Sequence, residues 1–311
     1  MSLVAVGSMA LDSIETPRGR HQDVWGGSAT YFATSASFFT KVSLVAVVGD
    51  DFPVEIVDFL SGREVCLEGV ERARGSTFRW SGRYGRDMGD PESLETNLGV
   101  FEHFKPVLPD SYRQARLVFL ANIDPDLQRE VLSQVTRPDL VACDTMNFWI
   151  EGKASALAKT LANVDLLIIN EGEAKLLAEE SNLLRAGHAV MRMGPKKVIV
   201  KRGENGVLLF DEEGLFSAPA YPLGDVVDPT GAGDTFAGGL MGYLASARRI
   251  DSRTLRQAMV VGGVMASFTV EGMSLDRLRG IGVEEIAERL KEYRSLTEFE
   301  AVPEPRARRL A

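Results

Sequence analysis

Short apolar runs recur along the chain, and each one ends in small or polar residues. Residues 3–6 end at Gly7-Ser8, and residues 42–48 end at Gly49-Asp50-Asp51. Between these two runs, residues 29–39 are rich in Ala, Ser and Phe, a composition typical of a buried helix. Continuous apolar runs are typical of strands that are buried on both faces, and strand–helix–strand is the unit of a parallel sheet.

The same pattern continues towards the C-terminus. Further strands are predicted at residues 117–120, 140–143, 166–169 and 198–201, with helices at 126–135, 153–162 and 171–180 between them, a hairpin at 207–210 and 215–218, and helices at 235–247, 253–270 and 283–293. The predicted fold is therefore α/β, a doubly wound and mostly parallel sheet.

One region alternates between apolar and polar residues. In residues 77–84, Phe78, Trp80 and Tyr84 fall on one face, and Arg79 and Arg83 fall on the other. Strict alternation indicates a strand with two unlike faces, and residues 96–103 are predicted to form a second such strand. With residues 12–24 they predict a small β-sheet that covers the main domain as a lid, built from segments 12–24 and 70–104. We expect a single domain over residues 1–295, and a loosely ordered C-terminal tail over 296–311.

Composition narrows the class of protein. The net charge of -9 makes non-specific binding to nucleic acid unfavourable. Two distant cysteines and three scattered histidines match neither a disulfide framework nor a zinc site. No apolar run has the length of a membrane span, and no signal peptide precedes the first strand, so we expect a cytoplasmic protein without membrane partners.

The most informative motif is the string DPTGAGDTFAGG at residues 228–239. The small residues Gly231, Ala232 and Gly233 let a phosphate approach the backbone, and the helix predicted from Thr235 offers free N–H groups and a positive dipole end. Asp234 lies at the same place, where it could accept a proton from a substrate hydroxyl. The alternative is structural: Asp234 would be an N-cap and the glycines a tight turn.

This string closely resembles the second signature of the ribokinase-like (PfkB) kinase family, and the resemblance extends over residues 1–295. Gly7 to Asp12 is similar to the family's first strand and substrate loop, and Gly26-Gly27 to its diglycine hinge. Three further matches are Gly49-Asp50-Asp51, the Asn-x-x-Glu motif at 170–173 and the glycine turn at 203–206 that follows Lys201.

The resemblance implies a role for each matching residue. Asp234 would be the catalytic base, and the amides of Gly231, Ala232 and Gly233 would stabilise the transferred phosphoryl group of ATP. Asn170 and Glu173 would lie on the nucleotide side, with Glu173 holding Mg²⁺ through water. Lys201, Gly203 and Gly206 would lie beside the nucleotide. From the residues alone, Lys201 could equally be a solvated end of a strand, and Glu173 an exposed acid in a first helical turn.

The acceptor side is less defined. By resemblance, Asp12, Gly26 and Gly27 would bind the small-molecule substrate. The Lys and Asn with which ribokinase holds ribose are absent from the loop at residues 26–31, so ribose itself is disfavoured. Polar residues after two predicted strands add the candidate contacts Asn122, Asp144 and Asn147. The aromatic residues Tyr31, Trp80, Phe148 and Trp149 could stack on a ring, although Phe148 is better explained as a core residue.

Two further expectations concern a cation and a partner. Asp228 and Thr230, with the backbone near Ser267, Val270 and Gly272, match the loops that hold K⁺ in many family members. The lid would leave exposed strand edges, which suggests a homodimer.

The predicted function is transfer of the γ-phosphoryl group of Mg-ATP to a hydroxyl of a small sugar or sugar-like substrate. Two alternatives stay open at this point. One is a nucleoside kinase on the same fold, and the other is a ligand-binding regulator without catalysis.

Overall fold

The computed structural model describes residues 3–300, and a nine-stranded sheet forms its centre. The strands, in the order in which they lie side by side, are β13 (Gly214–Ala218), β12 (Val207–Asp211), β11 (Lys197–Lys201), β10 (Leu166–Asn170), β9 (Leu140–Asp144), β8 (Leu117–Leu120), β1 (Leu3–Val6), β4 (Val42–Val48) and β5 (Cys66–Arg72). All neighbours from β11 to β5 are parallel, and β12 and β13 form an antiparallel hairpin at one edge. The predicted doubly wound, mostly parallel sheet is confirmed.

Helices cover both faces of this sheet. They are α1 (Ser28–Ala36), α2 (Val54–Gly62), α3 (Pro125–Gln134), α4 (Asn147–Gly152), α5 (Ala154–Leu161), α6 (Glu171–Ala178), α7 (Leu183–Met191), α8 (Ala232–Ser246), α9 (Ser252–Thr269), α10 (Asp276–Gly280) and α11 (Val283–Thr297). Strand β1 shows how the two layers arise, because successive side chains of a strand point to opposite faces. Leu3 and Ala5 belong to the core with Leu240 of α8, whereas Val4 and Val6 belong to the opposite core, which contains Val131 of α3.

The glycines of α8 bring this helix close to α1. A Cβ atom on Gly238 would lie 2.3 Å from the carbonyl oxygen of Phe32, and one on Gly242 would lie 2.9 Å from the Cα of Ala36. The two glycines are four residues apart and therefore share one face of α8. Their missing side chains let the helix that carries the GAGD motif pack tightly against α1, which follows the Gly26-Gly27 loop.

A separate four-stranded sheet, called here the small sheet, lies outside the main one. Its strands, in spatial order, are β3 (Gly19–Gly26), β2 (Ala10–Thr16), β6 (Phe78–Arg83) and β7 (Glu92–Asn97). The pairings of β2 with β3 and of β6 with β7 are antiparallel, and β2 pairs with β6 in parallel. Residues 66–72 form β5 at the edge of the main sheet, so the excursion into the small sheet begins later than residue 70.

Three details of the sequence predictions were wrong. The strand predicted at 96–103 lies instead at Glu92–Asn97, and Gly99–His103 is a 3-10 helix. The strand cannot continue through Gly99, because this residue has a φ of +50° and turns the chain back onto Ser76. The last helix continues to Thr297, beyond the predicted end of the domain; the rest of the predicted tail, residues 301–311, lies outside the described residues. The third is Phe148, which is 63% exposed and is not a core residue.

Within residues 3–300, no helix has both the length and the apolar character that crossing a bilayer requires.

Candidate active site

Three adjacent parallel strands end in polar side chains at one edge of the main sheet. Asp144 is the last residue of β9, Asn170 the last of β10 and Lys201 the last of β11. Because the carboxyl ends of parallel strands meet at the same edge, these side chains converge, and open α/β sheets bind their ligands there. Lys201 Nζ lies 3.3 Å from Asp144 Oδ2.

Helix α8 begins at this edge. Gly231 is its N-cap residue in the left-handed conformation, with a φ of +73°, and a Cβ atom there would lie 2.5 Å from the ring of Tyr31. The amide of Ala232 donates to the carbonyl oxygen of Pro229, at 3.2 Å. The amides of Gly231 and Gly233 have no acceptor within residues 3–300. Free N–H groups at the positive end of a helix are suited to bind an anion.

Asp234 lies in the first turn of α8, two residues after the helix begins at Ala232, and is not its N-cap. Burial raises the pKa of its carboxyl group, and the negative charge of Asp144 raises it further, whereas Lys201 acts in the opposite direction. The resulting pKa is about 7. A carboxylate with a pKa near neutrality is a stronger base than an ordinary aspartate, so this group is suited to accept a proton from a hydroxyl.

Asn170 and Glu173 form a capping box at the start of α6. The amide of Glu173 donates to Asn170 Oδ1, and the amide of Asn170 donates to Glu173 Oε2, both at 2.8 Å. Glu173 is therefore buried, and not the exposed acid that was considered as an alternative. Burial and the charge of Asp144 raise the pKa of Glu173 above its usual range. The capping box uses Oε2 and leaves Oε1 without a partner among the described residues.

Lys201 is not a solvated end of a strand. Its side chain is 20% exposed, and a Cβ atom on Gly233 would lie 2.8 Å from its Nζ. Burial lowers its pKa, but the carboxylates of Asp144, Glu173 and Asp234 outweigh burial, so the pKa of Lys201 is raised. The turn that follows contains Gly203 and Gly206, both with positive φ, and the space where a Cβ atom of Gly203 would stand is open.

The predicted acceptor residues form a second group near α8. Asp12 in β2 is 5% exposed. Burial raises the pKa of its carboxyl group to about 7, with added contributions from the charges of Asp228 and Asp234. A Cβ atom on Gly26 would lie 2.1 Å from Asp12 Oδ2, so a glycine at that position is needed to leave room for this carboxyl group. Gly27, with a φ of +90°, is the N-cap of α1.

The three polar residues predicted after strands β8 and β9 differ in their surroundings. Asn122 accepts a hydrogen bond from Trp149 Nε1 at 2.9 Å and donates to Met146 Sδ at 3.0 Å. Asn147, the first residue of α4, is exposed, and Asp144 is buried in its contact with Lys201. The exposed ring of Phe148 packs edge-on against Trp149, with 4.8 Å between centroids.

The two segments predicted to hold K⁺, around Asp228 and around Val270, are joined by hydrogen bonds. Asp228 is fully buried, and its two carboxylate oxygens accept the amides of Thr230 and Ser274, each at 2.9 Å. The carbonyl oxygen of Val270 accepts the amide of Val227 at 2.7 Å. Two other predicted residues have partners elsewhere: the Ser267 hydroxyl lies 3.0 Å from Arg289 Nη1, and the amide of Gly272 donates to Thr269.

Tyr84 is a residue near the site that sequence reasoning placed only on a face of the small sheet. It follows β6, is 6% exposed, and its hydroxyl group lies 2.9 Å from Thr230 Oγ1. This hydrogen bond joins the small sheet to the loop that begins the GAGD motif. The alternation of apolar and polar residues placed Tyr84 on the apolar face of its strand, but nothing in the sequence identified Thr230 as its partner.

The donors and acceptors fit a magnesium nucleotide. Two free amides and the half-buried ammonium group of Lys201 lie together where phosphate oxygens would be bound. No group of three or more His, Cys, Asp or Glu side chains within residues 3–300 is placed to hold a metal ion. Mg²⁺ commonly keeps several waters and is bound largely by substrate phosphates, so a single carboxylate such as Glu173 suffices on the protein side.

The fold and the site together define a phosphotransferase that acts on a small hydroxyl compound. The model of the pfkB family of carbohydrate kinases matches residues 2–277. The chain belongs to this family, which confirms the resemblance seen in the sequence and makes the protein a kinase, and membership of this kinase family implies the use of ATP and Mg²⁺.

Individual proteins agree with this assignment. The chain is 32% identical to a cytidine kinase from Thermococcus kodakarensis over 252 residues, which cover 78% of this chain and 88% of the relative. A nucleoside kinase structure from Methanocaldococcus jannaschii has a TM-score of 0.75 at 19% identity and covers 94% of this chain and 99% of its own. A putative ribokinase II from E. coli, in complex with ATP and Mg²⁺, has a TM-score of 0.76 at 18% identity, with coverage of 94% and 99%. At these identities the two structures support the fold.

Proposed function

We propose that the chain is a nucleoside kinase, with Asp234 as the general base. The observation that carries the base assignment is the position of this carboxylate, in the first turn of α8 beside two free amides and the ammonium group of Lys201. An acceptor hydroxyl at the start of α8 would be close to both the base and the phosphate site. The acceptor oxygen bonds to the γ-phosphorus as the bond to the β–γ bridging oxygen breaks, Asp234 takes the hydroxyl proton, and ADP leaves.

The proposed roles of the other residues follow their positions. The Gly231 and Gly233 amides would donate hydrogen bonds to the transferring phosphoryl group, and Glu173 Oε1 would accept a hydrogen bond from a water that Mg²⁺ carries. Gly203 and Gly206 let the nucleotide approach the turn after β11. Asp12 accepts hydrogen bonds from acceptor hydroxyls, since a buried carboxylate without a cationic partner is stabilised by donors from a ligand.

A nucleoside is favoured over a simple sugar for two reasons. The cytidine kinase is a relative at 32% identity over most of both chains. In addition, Phe148 and Trp149 present aromatic surface at the ligand-binding edge of the sheet, next to the amide group of Asn122. Aromatic faces beside a polar amide suit a nucleobase, because the ring can stack while its edge forms hydrogen bonds.

A substrate panel tests this proposal. ADP release is measured with Mg-ATP and, separately, cytidine, other nucleosides, ribose, other sugars and sugar acids. We expect a nucleoside to give the highest kcat/KM, and Asp234→Asn to lower kcat by about 10²–10⁴-fold with Mg-ATP binding retained. Asp234→Asn is purified in parallel, and the ADP release that remains in it sets an upper limit on the activity of contaminating kinases. Equal turnover by wild type and Asp234→Asn would disprove the base assignment, and preference for a free sugar would disprove the nucleoside assignment.

A monovalent cation is a finer part of the proposal. The buried carboxylate of Asp228 accepts the amides of Thr230 and Ser274 and interacts with the Thr230 side chain, and a cation near Thr230, Ser267, Val270 and Gly272 would offset its charge. Initial rates in KCl, NaCl and tetramethylammonium chloride at equal ionic strength test this. Equal rates in all three salts would exclude the requirement.

The proposed partner is a second copy of the chain, bound through the small sheet. Strand β7 is exposed along all six residues and is an edge strand, as is β3. Unpaired edges of this kind are surfaces for strand pairing. Sedimentation equilibrium at micromolar concentration should show a dimer, and a monomer would contradict the proposal. We also expect a cytoplasmic location.

A further inference from the structure

The position of Lys201 is electrostatically unusual. Its ammonium group lies beside Gly233, in the first turn of α8, where the positive end of the helix dipole repels a cation. Desolvation also disfavours a buried charge. The carboxylates of Asp144, Glu173 and Asp234 overcome both effects, so the lysine stays protonated. The protonated lysine and the free amides of Gly231 and Gly233 together place hydrogen-bond donors for an anion at the start of α8.

Asp144 is fixed in the orientation that holds this lysine. Its Oδ1 accepts the amide of Thr145 at 2.8 Å, and its Oδ2 faces Lys201 Nζ at 3.3 Å. Gln128 Nε2 donates to the carbonyl oxygens of both Asp144 and Ala121, each at 3.0 Å, and thereby holds the ends of β8 and β9 together. The carboxylate side chain is 7% exposed. Both of its oxygens therefore have partners within the protein, which leaves little capacity for a substrate hydroxyl.

We propose that Lys201 is a catalytic residue that contacts the transferring γ-phosphoryl group, and that Asp144 is the positioning residue that holds the Lys201 ammonium group at the start of α8. This inference rests on the proposed kinase site and deepens it. It also moves Asp144 from the acceptor side, where the sequence placed it, to the phosphate side.

The energetic reason is preorganisation. Negative charge spreads over the γ-phosphoryl oxygens as the bond to the bridging oxygen breaks, and donors that are already in place stabilise it without reorganisation. A lysine side chain is flexible and would otherwise sample many rotamers. The contact with Asp144 restricts it to one position, where its charge adds to that of the Gly231 and Gly233 amides.

Four variants test the proposal in the full-length protein: Lys201→Met, Lys201→Arg, Asp144→Asn, and Lys201→Met combined with Asp144→Asn. Lys196→Met is the matched control, because Lys196 also pairs with an aspartate, Asp165 at 2.8 Å, but is exposed. The measurements are kcat and KM with Mg-ATP and cytidine, and the Kd of Mg-ATP and Mg-ADP by calorimetry. Circular dichroism of each variant checks folding.

We expect Lys201→Met to lower kcat by about 10²–10³-fold, as removal of one oxyanion donor does, and to weaken Mg-ATP binding more than Mg-ADP binding. Lys201→Arg should regain part of kcat. Asp144→Asn should lower kcat by about tenfold or more with the KM for cytidine unchanged. When Lys201 is already replaced by Met, Asp144→Asn should cause no further loss of kcat. A residue that acts through another gives a non-additive double-mutant cycle.

Other results would overturn the proposal. Equal weakening of Mg-ATP and Mg-ADP would place Lys201 away from the γ-phosphate. Additive losses, or a raised KM for cytidine with unchanged kcat in Asp144→Asn, would place Asp144 on the acceptor. If wild type phosphorylates no nucleoside, the nucleoside proposal fails on its own, and the comparison of ATP with ADP binding still decides the role of Lys201. If Lys201→Met does not fold, the ATP and ADP comparison for Lys201→Gln decides, with equal Kd ratios in Lys201→Gln and wild type counting against the contact.

Discussion

Replacing Asp12 by Asn should stabilise the unliganded protein, and the gain should grow with pH. The Asp12 carboxyl is 5% exposed, and burial, with the charges of Asp228 and Asp234, raises its pKa from 3.8 to about 7. In the unfolded chain this group ionises at its ordinary pKa. The folded state therefore binds a proton more tightly than the unfolded state, so this carboxyl makes folding progressively less favourable as the pH rises from about 4 to 7, and the effect levels off above the folded pKa.

The magnitude follows from the difference between the two pKa values. At pH 8 the full difference applies and corresponds to ~4 kcal/mol, whereas at pH 5 only the part above 3.8 applies and corresponds to ~1.5 kcal/mol. An asparagine keeps the shape and an oxygen acceptor but carries no charge. We therefore expect the free energy of unfolding of Asp12→Asn, relative to wild type, to rise by ~2–3 kcal/mol between pH 5 and pH 8.

Urea unfolding of both proteins at pH 5, 6, 7 and 8, without nucleotide or acceptor, measures this difference. Asp110→Asn is the control, because the side chain of Asp110 is 97% exposed and should show little pH-dependent gain. A difference between Asp12→Asn and wild type that stays constant, or that falls with pH, would refute the reasoning that Asp12 is a destabilised buried carboxyl.

Three further predictions concern the start of α8. Gly231→Ala should lower the free energy of unfolding, measured with urea, by at least ~2 kcal/mol, because φ is +73° and the new Cβ would collide with the ring of Tyr31. The control is Gly263→Ala, in open space within α9, which should be neutral or stabilising; a neutral Gly231→Ala would show that the loop can rearrange. Tyr84→Phe should lower the free energy of unfolding by ~1 kcal/mol and raise the KM for the acceptor, because it removes the hydrogen bond to Thr230 that joins the small sheet to this loop. Kinetics identical to those of wild type would show that this bond does not affect acceptor binding. Asp234, the proposed base, has a pKa of about 7, so activity should be present above that pH and kcat/KM should fall about tenfold per unit below it, measured from pH 5 to 9. A plateau that extends to pH 5 would contradict the base assignment.

Much of the main sheet could be predicted from its apolar runs. The predicted strands 3–6, 42–48 and 117–120 have the same bounds in the structure, because these strands are buried on both faces and all their side chains except Ser43 are apolar. The edge strand β5 was missed. Its residues are mostly half-buried or exposed, and Glu68 and Glu71 interrupt the apolar run.

The small sheet was predicted less accurately than the main sheet. Its strand β6 followed the alternating pattern, but β7 is exposed along its length and has no apolar face to mark its position. Its pairing partner β6 is what orders it as a strand. Such a pairing depends on contacts between distant parts of the chain and leaves little trace in local composition.

The GAGD motif, the acid of the Asn-x-x-Glu motif and the class of the reaction came from the sequence, because a helix start with small residues and a carboxylate has a local signature. The contacts that these residues make could not be predicted from the sequence. Lys201 and Asp144 are 57 positions apart, and either could have been solvated or bound to substrate. Tyr84 and Thr230 are 146 positions apart, and only the folded chain brings their hydroxyl groups together.

The sequence alone determined which segments are buried strands, where the helix that carries the GAGD motif lies and which family the chain belongs to, since all three depend on residue types at short spacing. The tertiary structure decided the charges of the site. It buried Asp12 and Glu173, left Asp234 half-buried, and placed the ammonium group of Lys201 among the carboxylates on the nucleotide side. Their pKa values depend on desolvation and on distances across strands, and these exist only once the sheet has formed.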